Sequence, residues 1–283
     1  EPQHLDSVKV QNALVKYRVG SILNCGNHEH APEKWHEFIT GIQTAAAAKS
    51  SGIPVLYGVD AIHGPTYTEN GVLGPQQIGL GATWDVEIAR LAAKNTAEQV
   101  HAVGIHWNFS PVLDLARDPR WPRFWETFGE DPYLVSAMGT AMVDGYQNSG
   151  VPFAATLKHF FGYGFSLSGK DRTPAWIPER QLREYFLPPF KAAIDAGAMS
   201  IMVNSGEING VPVHSSKALL TDLLRDELGF EGLLVTDWED VKYLFTRHMV
   251  AEDYKEATKM AIDAGIDMAM VPLDLEFTQS LLE

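Results

Sequence analysis

Cysteine is nearly absent from this sequence: Cys25 is the only one in 283 residues. A lone thiol excludes an intrachain disulfide and any cysteine-based zinc cluster. Long apolar runs are missing too, and none approaches the roughly 18–20 residues that span a bilayer. No G-x-G-x-x-G opens a helix and no P-loop lysine motif occurs, so two common phosphate-cradling loops are absent. Basic residues are scarce, with 22 Lys and Arg against 36 Asp and Glu, a formal net charge of −14. Holding a polyanion takes clustered cations, so neither a nucleic-acid nor a membrane partner is expected. There is no initiator Met and no signal peptide. The chain opens at Glu1 in ordinary polar sequence, as a processed or trimmed product would, which leaves secretion open.

Apolar residues make up 45% of the chain, enough for a sizeable core. Seven short β-branched or apolar runs recur: Ser21–Asn24, Val55–Asp60, Trp107–Leu113, Phe153–Lys158, Ser200–Asn204, Leu233–Asp237 and Met268–Val271. They are apolar almost throughout, as strands buried on both faces of a parallel sheet are. Amphipathic stretches lie between them. Pro32 to Lys49 carries Trp35, Phe38, Ile39 and Ile42 at helical spacing. Thr83, Asp131-Pro132 and Pro178 open further helices, with Pro188-Pro189 expected to break or kink the last. Ser215 or Ser216 caps another that ends at Gly229, and Val250 to Gly265 is the sixth.

The joints repeat. SSGIPV (50–55) resembles NSGVPF (148–153), and IDAGAMSIMV (194–203) resembles IDAGIDMAMV (262–271). Each is a helix end, a glycine able to take the left-handed cap, and then a strand. Repeated joints of one kind argue for stacked βα units. The expected fold is an α/β, (β/α)8 TIM-type barrel over residues 1–283, missing or degenerate in its first strand. An open doubly wound sheet is the alternative. The irregular stretch from about Asp114 to Asp131 is rich in Trp, Phe and Arg, which suits an ordered loop over a site.

A barrel of this type holds its site at the C-terminal strand ends. Read in order, those ends supply Asp60 and His63, Asp114 with RDPRWPRFWETFGED, Lys158 and His159, Asn204, Ser205 and Glu207, then Asp237 and Trp238. Carboxylates, cations and indoles converging on one mouth suit a sugar. Charged groups bond its hydroxyls, and Trp238, Trp121 and Trp125 are candidate stacking platforms. His28-Glu29-His30 lacks the helical spacing of a zinc motif and is set aside. Arg117, Asp118, Glu126, Glu130 and Asp131 read as loop-holding ion pairs, and His63 and His106 as structural. Met199, Met202, Met268 and Met270 read as barrel packing, and Cys25 as inert.

At these residues the chain resembles the N-terminal catalytic domain of glycoside hydrolase family 3, in particular its β-glucosidases. The matching words are GVDAIHG (58–64), PQQIGLGATWD (75–85), NFSPVLDLARDPRWPRFWETFGEDPYL (108–134), ATLKHF (155–160), NGVPVHSS (209–216), LLRDELGFEG (223–232) and LVTDW (234–238). The resemblance implies a retaining mechanism with Asp237 as nucleophile. It implies that Asp60, Arg123, Lys158 and His159 bind the hydroxyls of the nonreducing-end sugar. It implies neither cofactor nor metal.

Two departures follow. Many members carry a tyrosine where Ser205 stands here, so Glu207 or a neighbouring segment is expected to fill the space. The general acid is not evident either. Multi-domain members take it from a glutamate on a following α/β sandwich domain. Single-domain N-acetylglucosaminidases use a histidine and aspartate in the loop after Lys-His. Here that loop is KHFFGYGFSLSGKDRTP (158–174), with Tyr163 at the histidine position and Asp171 followed by Arg172. The acid is therefore expected on a second domain or chain of the longer parent.

The expected activity is that of a β-glucosidase. A β-xylosidase, N-acetylglucosaminidase or glycoside phosphorylase of the same family, or a non-catalytic sugar-binding fragment, are the alternatives. A periplasmic or extracellular location is expected, with the cytoplasm left open.

Overall fold

The computed structural model describes residues 4–25, 28–48, 52–272 and 274–283. The apolar runs form β1 (Ser21–Leu23), β2 (Leu56–Val59), β3 (Trp107–Asn108), β4 (Ala154–Phe160) and β5 (Ser200–Val203). A small hairpin of β6 (Glu207–Ile208) and β7 (Val211–Pro212) follows, then β8 (Leu233–Val235). Six of these pair in parallel in the order β1-β2-β3-β4-β5-β8. Sequence order equals spatial order, so each crossover moves one strand along, as a curling barrel wall requires.

The seventh expected strand contributes one bridge, Met268 to Val235, rather than a ladder. β3 is shorter than its apolar run. Pro111 has no N–H to give a ladder, and only a bridge from Val112 to Lys158 continues the pairing.

The crossovers are α1 (Pro32–Ala47), α2 (Val86–Ala102), α3 (Pro132–Gln147), α4 (Leu187–Asp195), α5 (Ala218–Glu227, wound as a π-helix), α6 (Asp240–Thr246) and α7 (Tyr254–Ala264). Asp131 caps α3, accepting from the Leu134 N–H. α2 is capped by Asp85 rather than Thr83, whose hydroxyl accepts from the Asp85 N–H instead. No side chain caps α5, so Ser215 and Ser216 lack the expected role. Pro188-Pro189 fall in the first turn of α4, just after a π-helical stretch Leu182–Phe186. There their missing N–H groups are tolerated.

The joint glycines all take the left-handed region: Gly52, Gly150, Gly197 and Gly265 have φ of 62°, 96°, 87° and 110°. The first two residues of SSGIPV lie outside the described residues. Gly145 is required for a different reason. A Cβ there would sit 2.3 Å from the Arg90 carbonyl oxygen, so α2 and α3 pack this closely only over a glycine.

The main core lies between strands and helices, and a smaller cluster of Trp107, Phe109, Met202, Val235 and Met270 fills the barrel interior. Met199 does not join it. Its side chain is half exposed beside an apolar cavity of about 660 Å³ that opens at the N-terminal strand ends, against Leu56, Trp107, Ala154 and Leu233. That cavity is at the opposite end from the acidic and basic side chains of the candidate site. No helix of the described residues is long and apolar enough to cross a membrane.

Candidate active site

Asp60 follows β2, and β4 carries Lys158 and His159 near its end. Ser205 follows β5 and Asp237 follows β8. Successive parallel strands therefore deliver these groups to one rim. Lys158 Nζ donates to Asp60 Oδ1 at 2.9 Å. Asn24 Nδ2 donates to Asp60 Oδ2 at 3.0 Å, and the Asp60 N–H donates to Asn24 Oδ1 at 2.9 Å. Asp60 is thus fixed from the end of the neighbouring β1 and from β4 across the barrel mouth, while part of its carboxylate stays open to solvent.

Arg123 comes from the long loop after β3. Its Nε and Nη2 fork onto Glu126 at 2.9 and 2.7 Å, and its guanidinium lies over the Tyr163 ring. A bidentate charged pair of this kind fixes direction as well as position. Tyr163 also packs edge-on against His159 and Trp121.

His159 is wholly buried. Its Nδ1 meets Asp114 Oδ2 at 2.7 Å, and its backbone N–H donates to the same oxygen at 3.2 Å. Burial pushes the Asp114 carboxyl up to about 8, against the pull of Arg123 and the His159 N–H. Burial, with Arg123, Lys158 and Arg172 nearby, holds the His159 imidazole well below its ordinary value. Both partners are therefore neutral near pH 7. Nδ1 and Asp114 Oδ2 share a hydrogen bond, and the other ring nitrogen, Nε2, lies 3.8 Å from Asp237 Oδ2.

Asp237 is held through both of its carboxylate oxygens. Its Oδ1 accepts from the Trp238 N–H at 2.6 Å and from Arg172 Nη2 at 3.5 Å. Its Oδ2 accepts from Ser205 Oγ at 3.0 Å. The Asp237 N–H donates to His214 Nε2 at 3.3 Å. Burial drives the His214 ring down to about 3, so this nitrogen stays an acceptor. For Asp237 burial favours the neutral acid, but Arg172, Arg123, the Trp238 N–H and Ser205 outweigh it and hold the carboxyl below its ordinary value. The result is a buried, ionised carboxylate, able to attack an electrophilic carbon.

Three residues on, at the start of α6, Asp240 is also buried and shares two partners with Asp237. Arg172 Nη1 donates to Asp240 Oδ1 at 3.2 Å and to Ser205 Oγ at 2.7 Å. Ser205 Oγ is hydrogen-bonded to Asp240 Oδ2 as well. Burial and the neighbouring Asp237 charge push the Asp240 carboxyl well above the carboxylate range.

The structure gathers Asp60, Arg123, Lys158, His159, Ser205 and Asp237. Trp238 follows directly, its indole 40% exposed. Trp125 is also exposed, whereas Trp121 is not a platform: it is buried, with Nε1 donating to Asp171 at 3.3 Å. Glu207, on β6, meets His248 Nδ1 at 2.6 Å. Arg172, which reaches Ser205 Oγ at 2.7 Å, has no counterpart in the strand-end reading. Asp240 is equally new. Arg172 gives no local signal, because it lies 65 residues before Asp237. His30 packs edge-on against Trp35 and Phe38.

Residues 3–282 match the Glycosyl hydrolase family 3 N terminal domain. The chain belongs to this family. It is 48% identical over 94% of its length to the lysosomal beta glucosidase of Dictyostelium discoideum. It is 41% identical over 81% to a beta-xylosidase of Formosa agariphila, and 35% identical over 77% to the periplasmic beta-glucosidase of Salmonella typhimurium. The chain spans 35%, 33% and 28% of those three proteins respectively. The beta-glucosidase of Listeria innocua in complex with glucose superposes on 99% of the chain with a TM-score of 0.86 at 32% identity, using 39% of that structure. The six-stranded parallel sheet is thus the barrel-type domain of this family.

Proposed function

We propose that this chain is the barrel part of a retaining β-glucosidase in which Asp237 forms a covalent ester with the anomeric carbon of a nonreducing-end glucose. The observation that carries the reading is the state of Asp237: buried, ionised, and held at the rim by the Trp238 N–H, Ser205, Arg172 and Arg123. Glycosylation requires a carboxylate ready to attack without first losing a proton. The partly open Asp60 carboxylate, with Lys158 behind it and Arg123 and His159 nearby, supplies acceptors and donors for ring hydroxyls. Trp238 offers an apolar face next to the nucleophile.

The proton donor is assigned to a second domain or chain of the parent. Asp171 accepts from Tyr163 and Trp121, and Glu207 is taken up by His248, so neither stands ready as the acid. The share of each relative that the chain spans leaves room for such a domain. The names of the lysosomal and periplasmic relatives support a location outside the cytosol.

The test is to trap the parent enzyme with a 2-deoxy-2-fluoro glucoside and map the labelled peptide. Label on Asp237 is expected, and label on any other side chain would refute the assignment. The beta-xylosidase relative keeps xylosides as the second substrate class. Comparing nitrophenyl glucoside with nitrophenyl xyloside decides between them, the glucoside being expected to dominate.

A further inference from the structure

Two buried carboxyl groups, Asp237 and Asp240, contact one hydroxyl and one guanidinium. Ser205 Oγ has a single proton and lies within hydrogen-bond reach of both Oδ2 atoms. It cannot donate to both. One carboxyl must supply its own proton to the Ser205 oxygen, or two like charges would face each other across it. Arg172 closes the ring, reaching Asp237 Oδ1, Asp240 Oδ1, Ser205 Oγ and the Trp238 carbonyl oxygen. Four acceptors around one guanidinium exceed what a lone ion pair needs, and they fix its plane.

Resting on the reading of Asp237 as nucleophile, we propose that Arg172 and Asp240, linked through Ser205, are positioning residues that hold the attacking carboxylate in one rotamer, and that Asp240 does so as a neutral acid. Asp240 O–H donates to Ser205 Oγ, and Ser205 O–H donates to Asp237 Oδ2. Arg172 fixes the far oxygen of each carboxyl.

The backbone supports the assignment. Arg172 has φ of 55°, the left-handed region that a residue with a Cβ enters only at an energetic cost. Its side chain is thereby turned onto the rim. Asp171, just before it, is fixed by the Tyr163 hydroxyl at 2.6 Å.

The charges facing the pair favour the same proton placement. Asp237 is faced by Arg172, Arg123, His159 and His214, and Asp240 by Asp237, Arg172, Arg247 and His214. Burial keeps His159 and His214 neutral. Arg172 and Arg123 thus act on Asp237, whereas the Arg172 and Arg247 cations around Asp240 are offset by its burial and by the Asp237 charge.

The experiment measures the rate of covalent labelling of the full-length parent by a 2-fluoro glucoside, in wild type and in R172M, R172K, S205A, D240A and D240N. Misplacing a nucleophile by about 1 Å costs up to about 100-fold in rate. R172M and D240A should label roughly 10- to 100-fold more slowly, with ground-state binding of the sugar within about three-fold of wild type. D240N should recover most of the D240A loss, since an amide N–H replaces the acid O–H. R172K and S205A remove bonds with little change of volume, so they stay informative if R172M fails to fold. They should label more slowly than wild type.

Labelling of folded R172K and S205A at the wild-type rate would overturn the proposal while leaving Asp237 as nucleophile. D240N as slow as D240A would overturn the neutral-acid role. Wild-type label on another residue would remove the underlying reading itself.

Discussion

Lys158 lies behind Asp60: its ammonium is 2.9 Å from the carboxylate and only 3% exposed, whereas the Asp60 side chain keeps 35% of its surface. The pair is therefore asymmetric. Asp60 can exchange part of its hydration for a sugar hydroxyl, and Lys158 has almost no hydration to fall back on.

That asymmetry sets the order of two substitutions. D60N strands a buried cation and should cost about 2–3 kcal/mol, less than a fully buried pair because Asp60 is partly open. K158M keeps the volume and leaves Asp60 able to take water, so it should cost less. Urea unfolding of both variants checks this. A K158M protein less stable than D60N would contradict it.

Trp121 and Trp238 should separate stability from binding. W121A empties a buried site against Tyr163 and should cost about 3–5 kcal/mol. W238A truncates a half-exposed indole and should cost under about 1 kcal/mol, while weakening the sugar's hold on the parent enzyme. Thermal unfolding together with KM for a nitrophenyl glucoside distinguishes the two.

The Asp114 carboxyl, raised to about 8 by burial, makes stability depend on pH. The neutral acid is favoured in the folded state, while the unfolded chain ionises near its ordinary value of 3.8. The contribution is fully present below that value and is lost as pH rises through about 8. D114N lacks this loss. Relative to wild type, D114N should gain at most about 1.4 kcal/mol per pH unit over this window. Unfolding free energies at pH 5, 7 and 9 test it, and a gap independent of pH would refute it.

Gly145 should tolerate nothing larger. A Cβ there meets the Arg90 carbonyl at 2.3 Å, so G145A must push α2 and α3 apart. A cost of about 1–3 kcal/mol is expected, read from the denaturant midpoint, with labelling of Asp237 unchanged in the folded fraction.

Much of the fold was legible because barrel strands are buried on both faces and their joints repeat. Six of the seven apolar runs formed ladders. The seventh, Met268–Val271, holds only one bridge: apolarity marks a segment as buried but says nothing of its pairing partner. Strand-end reading also placed Asp60, Lys158, His159, Ser205 and Asp237 together, because parallel strands of a barrel share one rim. It misread Trp121, since an indole in a loop looks the same whether it faces solvent or Tyr163. Arg172 escaped notice for a related reason. Its partners lie just after β5 and β8 and at the start of α6, and no local pattern reports a contact made across the barrel mouth.

The left-handed turn at Arg172 gives the loop after β4 an influence its surface position conceals. A residue there reaches Asp237, so exchanges within GKDRTP, outside the six-stranded sheet, are expected to retune how the Asp237 oxygens are aimed. Reactivity in this scaffold is adjustable from its periphery, without redrawing the strand that carries the carboxylate.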